Sequence, residues 1–219
     1  MTIISDRAPM TAGRVAIIVG IDGAGKSTVV RRLTGFQTSH WRKLRHVSSA
    51  WAERVDNAAE TMKSLRGRDR TAFIVALLEG EWRSCIVPHL VAGRDVVCDG
   101  FYLRSLVKEM VFGDGDVAAV VNASPLRGDE LVILIDVPVE VAVLRKQGDE
   151  ISAYECFTSP ADFAEFQARQ REQLLEVVTA WNHVVVDGTA SEEVVAGEVE
   201  CVLASHGLLP EPLRSSSVI

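Results

Sequence analysis

An α/β fold with a mostly parallel sheet flanked by helices is the class this sequence predicts. Three observations carry it. Five short runs rich in Val, Ile and Leu lack the polar alternation of a half-exposed strand, so they read as strands buried on both faces. Longer stretches with apolar residues at helical spacing lie between them, and that alternation implies right-handed crossovers between parallel strands. Hydrophobic residues make up 47% of the 219 residues, enough for one core with helices on both sides of a sheet.

In chain order, the strand candidates are Val15–Val19, Leu44–Val47, Asp95–Cys98, Leu131–Ile135 and Val184–Val186. Leu44–Val47 has the least apolar character of the five, because Arg45 and His46 sit inside it. Helices are predicted over Thr28–Leu33, Thr71–Val91, Leu103–Phe112, Val139–Lys146, Pro160–Trp181 and Ser191–Ala204. Thr71–Val91 places Phe73, Leu77, Leu78, Trp82, Ile86 and Leu90 on one side. Pro160–Trp181 is more polar, with Phe163, Phe166, Leu174 and Val178 on its apolar side. Ser191 reads as a helix start. Gly113–Asp116, a Gly-Asp-Gly-Asp run, reads as a turn. The organisation expected is one domain over residues 13–206, a lid at about 146–160, and tails at 1–12 and 207–219.

The bulk properties exclude several functions. Net charge is −7 and no basic, aromatic-rich run is present, which argues against nucleic acid as the main partner. No segment has the roughly 18 consecutive apolar residues of a membrane span, and Asp6 interrupts the short apolar start, so a cytoplasmic protein is expected. Cys85, Cys98, Cys156 and Cys201 lie far apart with no C-x-x-C pair; they read as small buried hydrophobes, not as a disulfide frame or zinc site.

One loop carries chemistry. Residues 20–27 read Gly-Ile-Asp-Gly-Ala-Gly-Lys-Ser, the G-x-x-x-x-G-K-[ST] pattern, between a predicted strand and a predicted helix. The glycines let successive backbone N–H groups turn inward around phosphates, and the helix N-terminus adds its positive dipole end. The ATP-binding candidates are therefore Asp22, Gly23, Ala24, Gly25, Lys26, Ser27 and Thr28. Lys26 is the cation for the β- and γ-phosphates, and the Ser27 hydroxyl is a Mg²⁺ ligand. Asp99, closing the strand Val96-Val97-Cys98, is the second metal candidate, with capping of the next helix as the ordinary alternative. Asp136 also ends a strand, but Pro138 follows it at a helix start, which favours a capping role.

On these residues the chain resembles the thymidylate kinases and their relatives. The loop Gly-Ile-Asp-Gly-Ala-Gly-Lys-Ser-Thr is similar to theirs. Pro88-His-Leu-Val-Ala-Gly93 with Val96-Val-Cys-Asp99 resembles the approach to the family's Asp-Arg-Tyr motif. Leu134-Ile-Asp-Val-Pro-Val-Glu-Val resembles its strand-turn-helix, Phe163–Leu175 its helix after the lid, and Val186-Asp-Gly-Thr-Ala-Ser-Glu-Glu-Val194 its last strand and adenine-side loop. The similarity runs over roughly residues 14–204 and thins between 36 and 70. It implies a P-loop NTPase fold with a five-stranded parallel sheet, ATP and Mg²⁺ as donor and cofactor, a nucleotide-like acceptor, and a homodimer as the family's common assembly. It implies that Asp22 touches the acceptor's sugar hydroxyl, that Asp99 and Phe101 match the Asp and the aromatic of the Asp-Arg-Tyr motif, that Ser105 lies beside the acceptor base, and that Arg145 enters the lid and the donor nucleotide. Lys26, Asp99 and Arg145 are then the catalytic residues.

The departures lie in the acceptor half. The family arginine that holds the acceptor phosphate falls at Gly100. Residues Ala76–Gly80 hold no arginine for a thymine ring, and the lid segment Gln147–Tyr154 holds none either. Glycine cannot replace a bidentate guanidinium. Arg104 and Arg83 are the nearest substitutes, and Asp22, Phe101, Arg104 and Ser105 make up the acceptor-binding set. Phosphoryl transfer from ATP to a nucleoside monophosphate or related small acceptor is the leading reading, with dTMP expected to be a poor acceptor. A nucleotide-binding sensor or partner protein with little transfer activity is the competing one; the intact Lys26, Ser27 and Asp99 weigh against it.

Overall fold

The computed structural model describes residues 13–39, 64–113, 115–126, 128–146, 159–208 and 210. Five strands, β1 (Val15–Val19), β2 (Gln37–Ser39), β3 (Val96–Asp99), β4 (Leu131–Asp136) and β5 (Asn182–Asp187), form one parallel sheet in the order β2-β3-β1-β4-β5. Ile18 lies opposite Asp99 on one side and Ile133 on the other, and Asp136 opposite Asp187. The carboxyl ends of all the strands therefore share one edge of the sheet. β1 and β3 are buried throughout, and β4 is buried except at Asp136. That is the continuous apolar pattern of strands covered on both faces.

The helices are α1 (Lys26–Arg32), α2 (Gly67–Glu81), α3 (Val87–Val91), α4 (Phe101–Phe112), α5 (Val117–Ala123), α6 (Val139–Lys146), α7 (Pro160–Val177) and α8 (Glu192–Ser205). Local chemistry starts several of them. The Ser159 hydroxyl accepts from the Asp162 amide, with Pro160 in the first turn of α7, and the Ser191 hydroxyl accepts from the Val194 amide at the head of α8. Ile17, Ile18, Ile133, Leu134 and Ile135 of the sheet pack with Ile86, Leu90, Leu174 and Leu203 of the helices into one core.

Several expectations change. Leu44–Val47 lies outside the described residues. The sheet position beside β3 is taken by Gln37–Ser39, a short polar edge strand. The helix expected over Thr71–Val91 begins at Gly67 and is broken by a π turn, Trp82–Ile86, before α3. Helix α5 was not foreseen. Asp116, read as part of a turn, caps it by accepting from the Ala119 amide at 2.9 Å. Leu208, inside the expected tail, is buried in the core. Of the cysteines, Cys98 is buried as expected, but Cys85 is only half-buried and Cys201 is exposed on α8. Most of the lid, 147–158, and both chain ends lie outside the described residues. Among the described residues, no helix is long and apolar enough to cross a membrane.

Candidate active site

β1 runs between β3 and β4, so the loop that leaves it emerges at the middle of the carboxyl edge. Gly23 has φ 95° and its Cα faces α6, where a Cβ would stand 2.4 Å from the Ala142 carbonyl oxygen. Gly25 has φ 93° and nothing within 4 Å of a Cβ position, so it holds a left-handed turn beside open space. The chain then enters α1, where the Thr28 and Val29 amides both donate to the Gly25 carbonyl at 3.0 Å. Lys26 is buried, and its Nζ donates to the Ile21 carbonyl across the loop at 2.7 Å.

The next residue, Ser27, donates its hydroxyl to Asp99 Oδ2 at 2.6 Å. Asp99 is 5% exposed at the end of β3. A hydroxyl and a carboxylate side by side at the mouth of a phosphate loop are hard oxygen donors, which is the chemistry Mg²⁺ selects. Among the described residues no group of three or more His, Cys, Asp or Glu could hold a metal. Mg²⁺ keeps several waters and is bound through one or two protein oxygens together with phosphates, and a hydroxyl–carboxylate pair fits that pattern.

Asp22 sits at the other side of the loop. Its amide donates to Gln167 Oε1 of α7 at 2.8 Å, which fixes the loop backbone. Its carboxylate receives Arg104 Nη2 at 3.0 Å and Lys108 Nζ at 3.3 Å, one on each oxygen. Burial alone would raise the Asp22 carboxyl, but the charges of Lys108, Arg104 and Lys26 hold it well below the usual carboxylate range. Burial, with the Arg104 guanidinium beside it, lowers the Lys108 amine to about 7 against the opposing pull of Asp22.

At the far end, Arg145 Nη2 donates to the Gly188 carbonyl at 2.8 Å, joining α6 to the loop after β5. The Thr189 amide and hydroxyl both donate to Asp187 Oδ1, which shapes that loop. A cavity of about 790 Å³ connects these parts. Its lining includes all of 22–28, together with Asp99, Arg104, Arg145 and Gly188.

Two expected acceptor residues stand apart from that lining. Phe101 is buried, stacked on Trp82 at 5.9 Å and edge-on to Tyr102 at 4.7 Å. Ser105 is half-buried on α4 and also lies outside the lining. Arg83 is exposed and pairs with Glu79 one turn back, which corrects its candidacy as a replacement arginine. Asp136 does not cap α6. It receives Arg171 Nε and Nη2 at 2.7 and 2.8 Å, a fork that ties α7 to the end of β4. Lys108, Gln167 and Arg171 were not singled out from the sequence. The one available signal was the four-residue spacing of Arg104 and Lys108, which puts two cations on one helix face.

A parallel sheet with this loop on its central strand, a buried loop lysine and a serine–aspartate pair at the mouth define the P-loop kinase class. A solved structure described as deoxyadenosine kinase from M. mycoides, with products dCMP and a flexible dCDP bound, has the same fold. It aligns with a TM-score of 0.60 at 16% identity, over 88% of this chain and 99% of that one. The family model for thymidylate kinase matches residues 18–199, so the chain belongs to the thymidylate kinase family. Relatives include a probable thymidylate kinase of Staphylothermus marinus, 26% identical over 89% of this chain and 96% of that protein. The thymidylate kinase of Nostoc punctiforme is also 26% identical, over 89% and 97%.

Proposed function

We propose that this kinase transfers the γ-phosphoryl group of ATP to a nucleoside monophosphate or a closely related small acceptor. The observation that carries the reading is the placement of Lys26 and the Ser27–Asp99 pair at one mouth of the sheet, with Asp22 and Arg104 across the same cavity. Phosphoryl transfer requires little covalent chemistry from a protein; positioning and charge neutralisation do most of it. In this reading the loop amides of 22–28 cradle the donor phosphates. Lys26 exchanges the Ile21 carbonyl for phosphate oxygens, at the cost of one hydrogen bond within the loop. Ser27 and Asp99 would hold Mg²⁺, which would supply charge neutralisation for the donor phosphates. Arg145, held by the Gly188 carbonyl, lies against the donor nucleotide. Asp22 and Arg104 face the acceptor, while Phe101 shapes that side from within the core through its contact with Trp82.

The test is ADP formation from MgATP by the full chain, with a panel of nucleoside monophosphates, nucleosides and hydroxylated small molecules. Acceleration of ADP formation by at least one acceptor, dependent on Mg²⁺, is expected. ADP formation that no acceptor changes would contradict the reading and leave a nucleotide-binding protein.

A further inference from the structure

Helix α7 reaches both walls of the cavity through two side chains one turn apart. Gln167 Oε1 accepts the Asp22 amide of the phosphate loop at 2.8 Å. Four residues on, and so on the same face of the helix, Arg171 forks onto both Asp136 oxygens at 2.7 and 2.8 Å. Asp136 ends β4, and its backbone carbonyl accepts the Gly188 amide at 2.8 Å. The Gly188 carbonyl in turn holds Arg145. Arg171 does not line the cavity, but these hydrogen bonds connect it to two residues that do, Gly188 and Arg145.

The packing makes this series of contacts stiff. A Cβ on Gly188 would stand 2.6 Å from the side chains of both Ile135 and Val137 and 3.1 Å from the Asp136 carbonyl oxygen, so position 188 is wedged against the end of β4. Asp136 and Asp187 are register partners, so carboxylates end two neighbouring strands. The Arg171 guanidinium neutralises the first, and the Thr189 amide and hydroxyl bind the second. Without the guanidinium, like charges would stand opposite each other and spread the ends of β4 and β5. The two side chains of the fork are 37% and 22% exposed, and a pair that open to solvent adds little to global stability. Its removal therefore acts on the position of the Gly188 loop more than on the fold.

In the transferase reading the donor phosphates lie on residues 22–28, which leaves the donor's nucleoside to the part of the cavity bounded by Arg145, Gly188 and Ala190. We propose that Arg171 is a positioning residue for the donor nucleotide: through Asp136 and Gly188 it sets the nucleoside end of the donor site, while the loop and Gln167 set the phosphate end. The proposal rests on that reading and adds to it a residue that touches neither substrate.

The experiment is titration calorimetry on the full chain with ADP and with inorganic tripolyphosphate, a probe that has phosphates and no nucleoside, alongside turnover with MgATP. Arg171→Gln is expected to weaken ADP by about five- to thirtyfold, within the range for a residue that acts on a ligand without touching it, and tripolyphosphate by less than about twofold. Arg171→Lys keeps the charge but not the two-pronged contact, so its ADP affinity should fall between Arg171→Gln and the unaltered chain. Gln167→Ala, at the phosphate wall, should weaken both probes alike. An ADP affinity unchanged in Arg171→Gln would overturn the proposal, as would equal weakening of the two probes, the mark of a general structural role. Should Arg171→Gln fail to fold, Arg171→Lys carries the same comparison, with weakening of ADP alone expected. If that selective weakening is found but no acceptor accelerates ADP formation, the positioning role stands and the transferase reading falls. If transfer occurs and Arg171→Gln binds ADP as the unaltered chain does, the positioning role falls and the transferase reading stands. An unaltered chain that binds neither probe overturns both.

Discussion

Gly100 lies directly beneath Arg104: a Cβ at position 100 would stand 2.9 Å from the Arg104 Cβ and 2.8 Å from its Cδ. The backbone there also has φ 78°, outside the range L side chains favour. Gly100→Ala is therefore expected to lower stability by about 1–3 kcal/mol from backbone strain and crowding together. It should also weaken acceptor binding by displacing Arg104. Urea unfolding measures the first effect, and a stability unchanged within about 0.5 kcal/mol would contradict the crowding described. By the same geometry, an arginine placed at 100 would compete with Arg104 for one space.

Lys26 is the side-chain cation of the phosphate loop itself. Lys26→Ala should reduce turnover by about 10³–10⁵-fold, the range for removal of a charge-neutralising group in phosphoryl transfer. The fold should survive, because the hydrogen bond from Lys26 to the Ile21 carbonyl is worth about 1 kcal/mol and the strand and helix on either side of the loop are buried without it. Steady-state kinetics with a parallel urea curve checks both. Turnover near that of the unaltered chain would remove Lys26 from the mechanism.

Asp99 and Ser27 are the proposed metal partners. Asp99→Asn keeps an oxygen for the Ser27 hydroxyl but removes the charge, so the Mg²⁺ concentration for half-maximal activity should rise at least several-fold, with little change in unfolding midpoint. An unchanged Mg²⁺ requirement would leave Asp99 a structural partner of Ser27.

Lys108 gives the stability of the fold a pH dependence of defined sign. The groups that face it are Asp22 of the loop, Arg104 on its own helix and Lys26 on α1, with the Phe166 ring from α7. Its amine falls from an ordinary value of 10.5 to about 7 in the fold. Between those values the unfolded chain holds the proton more firmly than the folded one, so this group makes stability rise with pH from about 7 to about 10.5. Urea unfolding between about pH 7 and pH 10 reads this contribution, and Lys108→Gln should remove it. A pH dependence of stability unaltered in Lys108→Gln would assign it elsewhere.

Much of this was legible in the sequence, and the parts that were not have physical reasons. Val15–Val19 and the loop after it could be read because a buried strand, a glycine pattern and a lysine-serine pair are local signals. β2 could not, because an edge strand such as Gln37–Ser39 needs no apolar run. Helix α5 was readable in principle from its Asp116 cap, which looked like an ordinary turn residue. Asp136 and Arg171 are 35 residues apart, and Asp22 and Lys108 are 86 apart. Nothing in either neighbourhood announces its partner, so a lysine that looks solvated on a helix is found on the Asp22 carboxylate of the phosphate loop.

The reading of this site is transfer of a phosphoryl group onto a small acceptor. Its most direct test is transfer of a radioactive γ-phosphate from ATP, followed by separation of the products. Label should appear on a nucleoside monophosphate, converting it to the diphosphate, in the presence of Mg²⁺, and should be lost with Lys26→Ala. Label that appears only as inorganic phosphate, or that stays on ATP with every acceptor offered, would contradict the account.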